Sequence, residues 1–514
     1  MKYFKSDMAL HPYAIGLVPV AYLYYVNHTQ TSVRELLLAG LVICTAIYAL
    51  SKLMKFVFGA SSRTNIALSL CVAMFFMYGV LDSHLNRFIY VRQRYVIILW
   101  TLLLLISVFC VLKSKKGMNG LGRYLNIATV VMLFIILSRL TLSVYSTAQA
   151  NISMMDSGSD DGPAVMHESK ANEFPDIYYI ILDGMASSRT FRDVFDYDNG
   201  EFIRALQEKG FYVASDSSSN YPCTMLSLAS SLNMRYINDL SEYDEHSARH
   251  RAYQMIRDNA VMRKFRSKGY RIVNVQSGWG VTDYNWFADE NLYCGLLSEY
   301  VSVLINQTPI SSLFKKYVYK KEVRDRIVKM FRRIPGIDRD NGRPNFVFAH
   351  IVCPHPPFVF GKNGGWIKVE ERRKGENVWS RKGAYLDQAI YVMSSVLKMV
   401  DAIQKRSTTP YVILLQGDHG TASTFPDLDS PGWSDPTDAN IREAFGILNA
   451  YFVPKSMKRE LYKTISPVNS FKVILGKLFG EDISLSDDKS YYSYFDQPFR
   501  LLDVTTRVQP SARD

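Results

Sequence analysis

The chain has 514 residues, 48% of them hydrophobic, and carries 60 Lys and Arg against 48 Asp and Glu, a formal net charge of +12. That length admits at least two structural units. No disulfide framework is visible among the six cysteines, and no nucleic-acid-binding motif accompanies the positive charge, which argues against a disulfide-stapled scaffold and against a nucleic-acid partner.

The mean hydropathy of −0.04 averages two unlike parts. Residues 1–145 hold five hydrophobic spans, near 12–26, 36–58, 66–81, 95–112 and 125–145, separated by short, polar, basic segments. A membrane helix needs about 20 apolar residues, so the first and third are short. The first has no small-residue cleavage site and runs straight on to another span, unlike a cleavable signal. Cys44, Cys71 and Cys110 fall in the spans as packing residues. With the N-terminus inside, nine basic residues lie on the inner side (Lys2, Lys5, Lys52, Lys55, Arg63, Lys113, Lys115, Lys116, Arg123) and four on the outer (Arg34, Arg87, Arg92, Arg94). The positive-inside bias then puts everything after Tyr145 on the outer face. Residues 146–175 read as a polar linker, aperiodic and partly acidic.

From residue 176 to the end, strand and helix patterns alternate, as in an α/β domain with helices on both faces of a sheet. Residues 177–182 and 411–416 are apolar on both faces, as buried strands of a parallel or mixed sheet are. Residues 385–405 form a long helix with Leu386, Ile390, Met393, Leu397 and Val400 on one stripe. Residues 310–334 are basic and amphipathic; they suit a helix lying on the membrane surface or an ordinary surface helix with a solvated basic face.

The chemistry-bearing residues cluster at predicted strand and helix ends. The first buried strand ends in Asp183-Gly184, which is a carboxylate at a strand's C-terminal edge or simply a turn. Thr224 begins a helical pattern beyond Pro222, as a nucleophilic hydroxyl at an anion-favouring helix start or as an N-cap. Residues 417–420, GDHG, place Asp418 and His419 together at the end of another buried strand. Asp183, Thr224, Asp418 and His419 would make three oxygen ligands and one imidazole for a divalent ion, Zn2+ or Mn2+, with Mg2+ also admissible.

The strand ending in Asp183, Thr224, the PHPPF run at 354–358 and the GDHG run occur in an order that resembles the sulfatase-like branch of the alkaline phosphatase superfamily. Within it, the chain is similar to membrane-bound bacterial phosphoethanolamine and phosphoglycerol transferases of the lipoteichoic acid synthase type. The resemblance implies a smaller C-terminal portion built on a short antiparallel sheet. It implies a multi-pass protein of the bacterial inner membrane, with its catalytic domain on the periplasmic or outer face. It further implies transfer of a phospholipid headgroup to a cell-surface glycan or glycolipid, such as lipopolysaccharide or capsule, through a phospho-Thr224 intermediate. His355 matches the family's substrate-contacting histidine. His350 would bind substrate too or be a satisfied strand histidine, and Arg442 would clamp a phosphate or lie idle on the surface. The alternative is a phosphodiesterase or phosphatase of the same superfamily. The segment around Cys223, YPCTML, lacks the Cys-x-Pro-x-Arg pattern from which sulfatases make formylglycine, which argues against sulfate-ester hydrolysis. Two-zinc relatives in the family draw a histidine from far downstream for their second ion, and none follows His419, so the resemblance implies a single ion at rest, although His350 and His355 could recruit a second.

The topology has a direct check. In intact cells a membrane-impermeant thiol reagent should label a cysteine placed at residue 160 and not one at residue 116; the reverse pattern would invert the assignment.

Overall fold

A computed structural model describes residues 9–88, 93–157, 174–367, 376–427, 433–494 and 497–508. The chain divides into two compact units: the first takes in Met1–Asp161 and Leu297–Lys320, the second Gly162–Leu296 and Lys321–Asp514.

The first unit contains helices α1 (His11–Asn27), α2 (Val33–Phe58), α3 (Ser62–Phe88), α4 (Gln93–Lys113) and α5 (Asn119–Ser157). Of these, α2 to α5 are long and apolar enough to cross a membrane, by length and composition. The expected first span, α1, has 17 residues and carries Pro12 in its first turn and Pro19 inside. Large apolar side chains such as Leu41, Phe56, Leu105 and Phe134 point outward. Burying apolar surface is worth about 25 cal/mol per Å², so such a display is unfavourable in water and favourable in hydrocarbon. Helix α5 continues to Ser157, so the start of the expected 146–175 linker is helical; 158–173 lies outside the described residues.

Leu297–Lys320 is an insertion that belongs to this first unit. Its helix Glu299–Asn306 buries Tyr300 and Leu304 with Val20 and Tyr24. The Tyr300 hydroxyl donates to the Val20 carbonyl at 2.8 Å, and Gly79 N–H donates to the Gln307 carbonyl at 2.9 Å. The segment 310–334, read from sequence as one piece, is therefore divided. Beyond Lys320, helix Lys320–Arg333 turns Val323, Ile327, Met330 and Phe331 into the core of the second unit.

The second unit is built on a mixed seven-stranded sheet of β1 (Asp176–Leu182), β2 (Tyr212–Val213), β3 (Arg271–Val275), β4 (Glu290–Leu292), β5 (Asn345–Ile351), β6 (Tyr411–Gln416) and β7 (Asn449–Phe452), in the order β2-β7-β6-β1-β5-β3-β4. The strands β6, β1, β5, β3 and β4 run parallel, and β7 is antiparallel to β6. Every residue of β1 is buried. Its alternation divides two cores: Tyr178, Ile180 and Leu182 face one, Ile177, Tyr179 and Ile181 the other. A two-stranded antiparallel sheet, β8 (Tyr491–Tyr494) with β9 (Gln497–Asp503), follows helix Pro467–Phe479. All six cysteines are free, so packing and hydrogen bonding hold this unit together.

Helix Lys382–Arg406 forms as expected, but its buried stripe is rotated by about one position. Tyr385, Gln388, Ala389, Val392, Met393, Val396 and Val400 are buried, whereas Leu386, Ile390 and Leu397 are half-buried. The predicted stripe follows the largest aliphatic residues, but packing selects the side that brings Tyr385 and Gln388 inward.

Because Ile180 is fully buried in the central strand, Ile180→Ala should cost about 2–5 kcal/mol. Thermal unfolding of the full-length protein in detergent should show the loss, and Leu502→Ala, at an exposed position of β9, should stay within about 0.5 kcal/mol of wild type.

Candidate metal and phosphoryl-transfer site

Parallel pairing brings three strand ends to one edge. Ile181 of β1 lies opposite His350 of β5 and Gln416 of β6. Alternation then puts His350 and Gln416 on the face of β1 that carries Ile181, and Asp183 and Asp418 continue just beyond. Helix Thr224–Ser231 packs on this same face through Leu226 and Leu228. Residues distant in sequence thus converge at the carboxyl edge, where open α/β sheets bind ligands.

Carboxylate oxygens of Asp183 and Asp418 and a ring nitrogen of His419 lie within 4.8 Å of one another, all three residues buried. His419 Nε2 is 3.5 Å from Asp183 Oδ1 and 3.5 Å from Asp418 Oδ2. The two acids are held alike. Asp418 Oδ1 accepts from Gly184 N–H at 3.0 Å, and Asp183 Oδ2 lies 3.2 Å from His350 Nε2. The second oxygen of each, Asp183 Oδ1 and Asp418 Oδ2, is buried without a hydrogen-bond partner. Such atoms are costly unless something positive faces them. Two unsatisfied carboxylate oxygens beside an imidazole nitrogen fit a divalent cation, and the mixed O/N set suits Zn2+ or Mn2+.

Thr224 is the first residue of its helix; Cys223 holds the cap position, and no side chain caps the helix. The Thr224 hydroxyl is thus not spent as an N-cap, and its Oγ1 lies 3.3 Å from His419 Nε2. Two neighbouring serines are occupied elsewhere, Ser217 donating to the Ile465 carbonyl at 2.7 Å and Ser227 to the Tyr221 carbonyl at 2.8 Å, whereas Ser219 Oγ is buried without a hydrogen-bond partner.

Charge is shared across the cluster. Burial alone would raise the Asp183 pKa, but His355, His350 and His419 hold it well below the usual carboxylate range. Burial opposes a proton on His419, yet Asp418 and Asp183 outweigh it and raise the pKa above 6.5.

The remaining expected residues divide. His355 stands half-buried at the rim, 6.3 Å from His419 and 4.9 Å from Trp379 between ring centroids. Its Nδ1 is tied to the Pro356 carbonyl at 2.6 Å, which leaves Nε2 for a ligand. His350 lies deeper, in the setting of a satisfied strand histidine, the second of its two expected readings. It is wholly buried, with Nδ1 2.9 Å from Thr282 Oγ1 and Nε2 on Asp183, so it orients the carboxylate. Arg442 lines a neighbouring cavity of about 430 Å³ with Arg189 and Lys463, and none of Asp183, Thr224, Asp418 or His419 lines that cavity.

Three supports escape a reading of sequence motifs. Tyr385 donates to the Gly184 carbonyl at 2.9 Å and accepts from Ala186 N–H at 3.2 Å. Gln388 grips the segment around His355: it donates to the Pro354 and His355 carbonyls at 3.1 Å and accepts from Val359 N–H at 2.8 Å. Both are polar residues on the buried side of an amphipathic helix, and that placement is a usable signal. Glu443 has no such signal; its carboxylate accepts from the hydroxyls of Thr421, Ser423 and Thr424 and anchors the loop after His419. Glycine is required at two points. Gly184 has φ +70°, and a Cβ there would meet the Trp379 ring at 2.6 Å; at Gly420 a Cβ would meet the Glu443 carbonyl oxygen at 2.0 Å.

Asp418→Asn keeps the shape but removes a charge, and should weaken Zn2+ affinity at least ~100-fold in competition with a chelator. A proton on His419 Nε2 competes with the ion. Zn2+ affinity of the wild type should therefore fall as pH drops, beginning above pH 6.5 because the His419 pKa is raised.

No curated protein sequence matches the chain. Among solved structures, the C-terminal periplasmic domain of EptC from Escherichia coli, in complex with Zn, is similar at a TM-score of 0.43 and 12% identity, over 66% of this chain and 94% of that one. The integral membrane lipooligosaccharide phosphoethanolamine transferase A from Neisseria meningitidis is similar at a TM-score of 0.40 and 12% identity, over 86% and 94%. The Sulfatase family matches residues 175–442, which include the strand ending in Asp183, the Thr224 helix start and the Asp418-His419 turn. This match spans just over half of the chain, and the protein belongs to the Sulfatase family.

Proposed function

We propose that this protein is a membrane phosphotransferase that moves a phospholipid headgroup, phosphoethanolamine or phosphoglycerol, onto a hydroxyl of a cell-surface glycan or glycolipid. The observation that carries this reading is the Thr224 hydroxyl, uncapped and 3.3 Å from His419 Nε2, beside two buried carboxylates that each leave one oxygen unsatisfied.

Asp183, Asp418 and His419, with Thr224, would hold one divalent ion. Such an ion supplies positive charge that lowers the pKa of a facing hydroxyl and neutralises phosphoryl oxygens. Thr224 Oγ1, deprotonated, attacks the phosphorus of the lipid headgroup. A P–O bond forms to Thr224, and the bond to the diacylglycerol oxygen breaks. His355, with Nε2 open at the rim, protonates that leaving oxygen. In the second half an acceptor hydroxyl gives its proton to His355 and attacks the phosphorus; the P–O bond to Thr224 breaks and returns Oγ1 to the deprotonated state in which the cycle began. His350 keeps Asp183 oriented throughout, through the contact at 3.2 Å.

A membrane-embedded donor accounts for several spanning helices in the same chain, where a hydrolase of soluble substrates needs a single anchor. The excess of basic residues in the segments on the inner side of the spans supports the reading that transfer takes place on the outer face of the membrane. Hydrolysis, with water as acceptor, is the competing reading, and both share the first half-reaction.

The test uses the full-length protein with vesicles of phosphatidylethanolamine and phosphatidylglycerol, loaded with Zn2+ or Mn2+. Thr224→Ala should lower diacylglycerol release at least ~10³-fold, and Thr224→Ser should retain part of it. Trapped phosphopeptide should map to Thr224. Phosphate on Ser227, or an active Thr224→Ala enzyme, would overturn the assignment. Mass spectrometry of surface glycans with and without the gene separates transfer from hydrolysis.

A further inference from the structure

The cavity of about 430 Å³ that Arg442 lines takes no part in the chemistry proposed above. Its wall includes Ser187 from the loop after Asp183-Gly184, Ser218 from the stretch before Thr224 and Thr424 from the loop after His419. Helix Asp438–Phe445 adds Arg442 and Glu443. Each of the three segments that build the metal cluster thus also contributes to this wall. The four steps of chain from Asp183 to Ser187 reach at most about 14 Å, so the cavity and the cluster are close. Its volume suits a small organic ligand rather than a lone ion.

Two polar groups in the wall have no bonding partner among the described residues. Ser218 is 7% exposed, and its hydroxyl, at the cavity, makes no hydrogen bond. Arg442 is half-buried, and its guanidinium faces no acid and no hydrogen-bond acceptor. The other ionic groups of the wall are engaged. Arg189 pairs with Asp193 at 3.4 Å, and Lys463 with Asp216 at 3.9 Å. Glu443 accepts from the hydroxyls of Thr421, Ser423 and Thr424 rather than from Arg442. The segments that carry the two unpartnered groups are joined: Ser218 bridges to Gly446, whose N–H donates to the Arg442 carbonyl at 3.1 Å. Gly446 also leaves room for two more hydroxyls of the wall. A Cβ there would meet Thr190 Oγ1 at 2.7 Å and Ser187 Oγ at 2.8 Å.

A guanidinium is a planar fork that holds a carboxylate or a phosphate through two parallel hydrogen bonds. A serine hydroxyl both donates and accepts, which suits the hydroxyls of a sugar. We propose that this cavity binds an anionic sugar, with the phosphate or carboxylate on Arg442 and a sugar hydroxyl on Ser218. As the seat of the glycan acceptor, the site rests on the transferase reading; as a binding site it stands without it.

Isothermal titration of the full-length protein in detergent, with no lipid donor present, reads binding without turnover. Glucose 1-phosphate and glucuronate distinguish the two anions, and glucose is the neutral comparison. At least one anionic sugar should bind the wild type ~10-fold or more tightly than glucose does, the scale of a charge-assisted hydrogen bond. Arg442→Gln should remove that advantage and Arg442→Lys should restore part of it, with thermal unfolding of both variants checked alongside. Asp418→Asn, which weakens the metal cluster, should keep the advantage. Equal affinity for glucose, no binding of either anionic sugar, unchanged binding by Arg442→Gln, or binding that Asp418→Asn abolishes would each overturn the site. Thr224 takes no part in the titration, so an active Thr224→Ala enzyme would end the transfer mechanism and leave this result untouched.

Discussion

Two carboxylates share a buried space, and the rest of the site is arranged to make that tolerable. Asp183 and Asp418 are almost wholly removed from solvent, and like charges at such range repel strongly in a low dielectric. Each acid receives one hydrogen-bond partner from a rigid neighbour, Gly184 N–H for one and His350 for the other. The second oxygen of each has no hydrogen-bond partner. Three histidines around Asp183 supply the compensating field, and one of them, His419, has its own proton affinity raised by the same acids. A cation that replaced that proton would satisfy all of these groups together, which is the physical reason to regard the cluster as a metal site rather than an ion-pair network.

Holding such a cluster in place falls to elements that carry none of its chemistry. Helix Lys382–Arg406 reaches two separate motif segments at once, through Tyr385 to Gly184 and through Gln388 to the carbonyls of Pro354 and His355. On the other side Glu443, wholly buried, gathers the hydroxyls that follow His419. Under the site, Tyr179 donates to Gln416 at 2.8 Å, and Gln416 donates in turn to Asn449 at 3.0 Å and Ser470 at 3.1 Å. A buried network with its members paired fixes the relative position of β1, β6 and β7 beneath Asp183, Asp418 and His419. Pre-organisation of this kind is where catalytic geometry is made, since a displaced nucleophile loses most of its advantage.

The first unit obeys another solvent. Its helices leave leucine, isoleucine and phenylalanine facing outward, which only hydrocarbon makes favourable. The insertion at Leu297–Lys320 carries chain from the α/β sequence into this unit and back. Its first helix is bound there by a tyrosine hydrogen bond and an apolar cluster, while its second half offers lysines and aromatic rings outward.

Much of this was written in the one-dimensional pattern. Apolar runs of strand length ending in Asp183-Gly184 and in Gly417-Asp418-His419-Gly420 marked buried parallel strands and their chemistry-bearing ends, because a strand covered on both faces can hold only apolar residues until it reaches the edge. Long apolar stretches marked the membrane helices for a similar reason, although Pro12, Pro19 and a length of 17 residues set α1 apart from the other four. Register, by contrast, belongs to the tertiary structure. Only the pairing of Ile181 with His350 and Gln416 decides that Asp183, His350 and Asp418 meet on one face, and only packing decides that the Thr224 hydroxyl comes within 3.3 Å of His419 Nε2. The inward rotation of the Lys382–Arg406 stripe, the division of residues 310–334 between two units and the anchoring role of Glu443 were equally beyond the pattern. Each depends on which of several chemically acceptable surfaces a neighbour covers, and that choice is made by long-range contacts that local sequence does not encode.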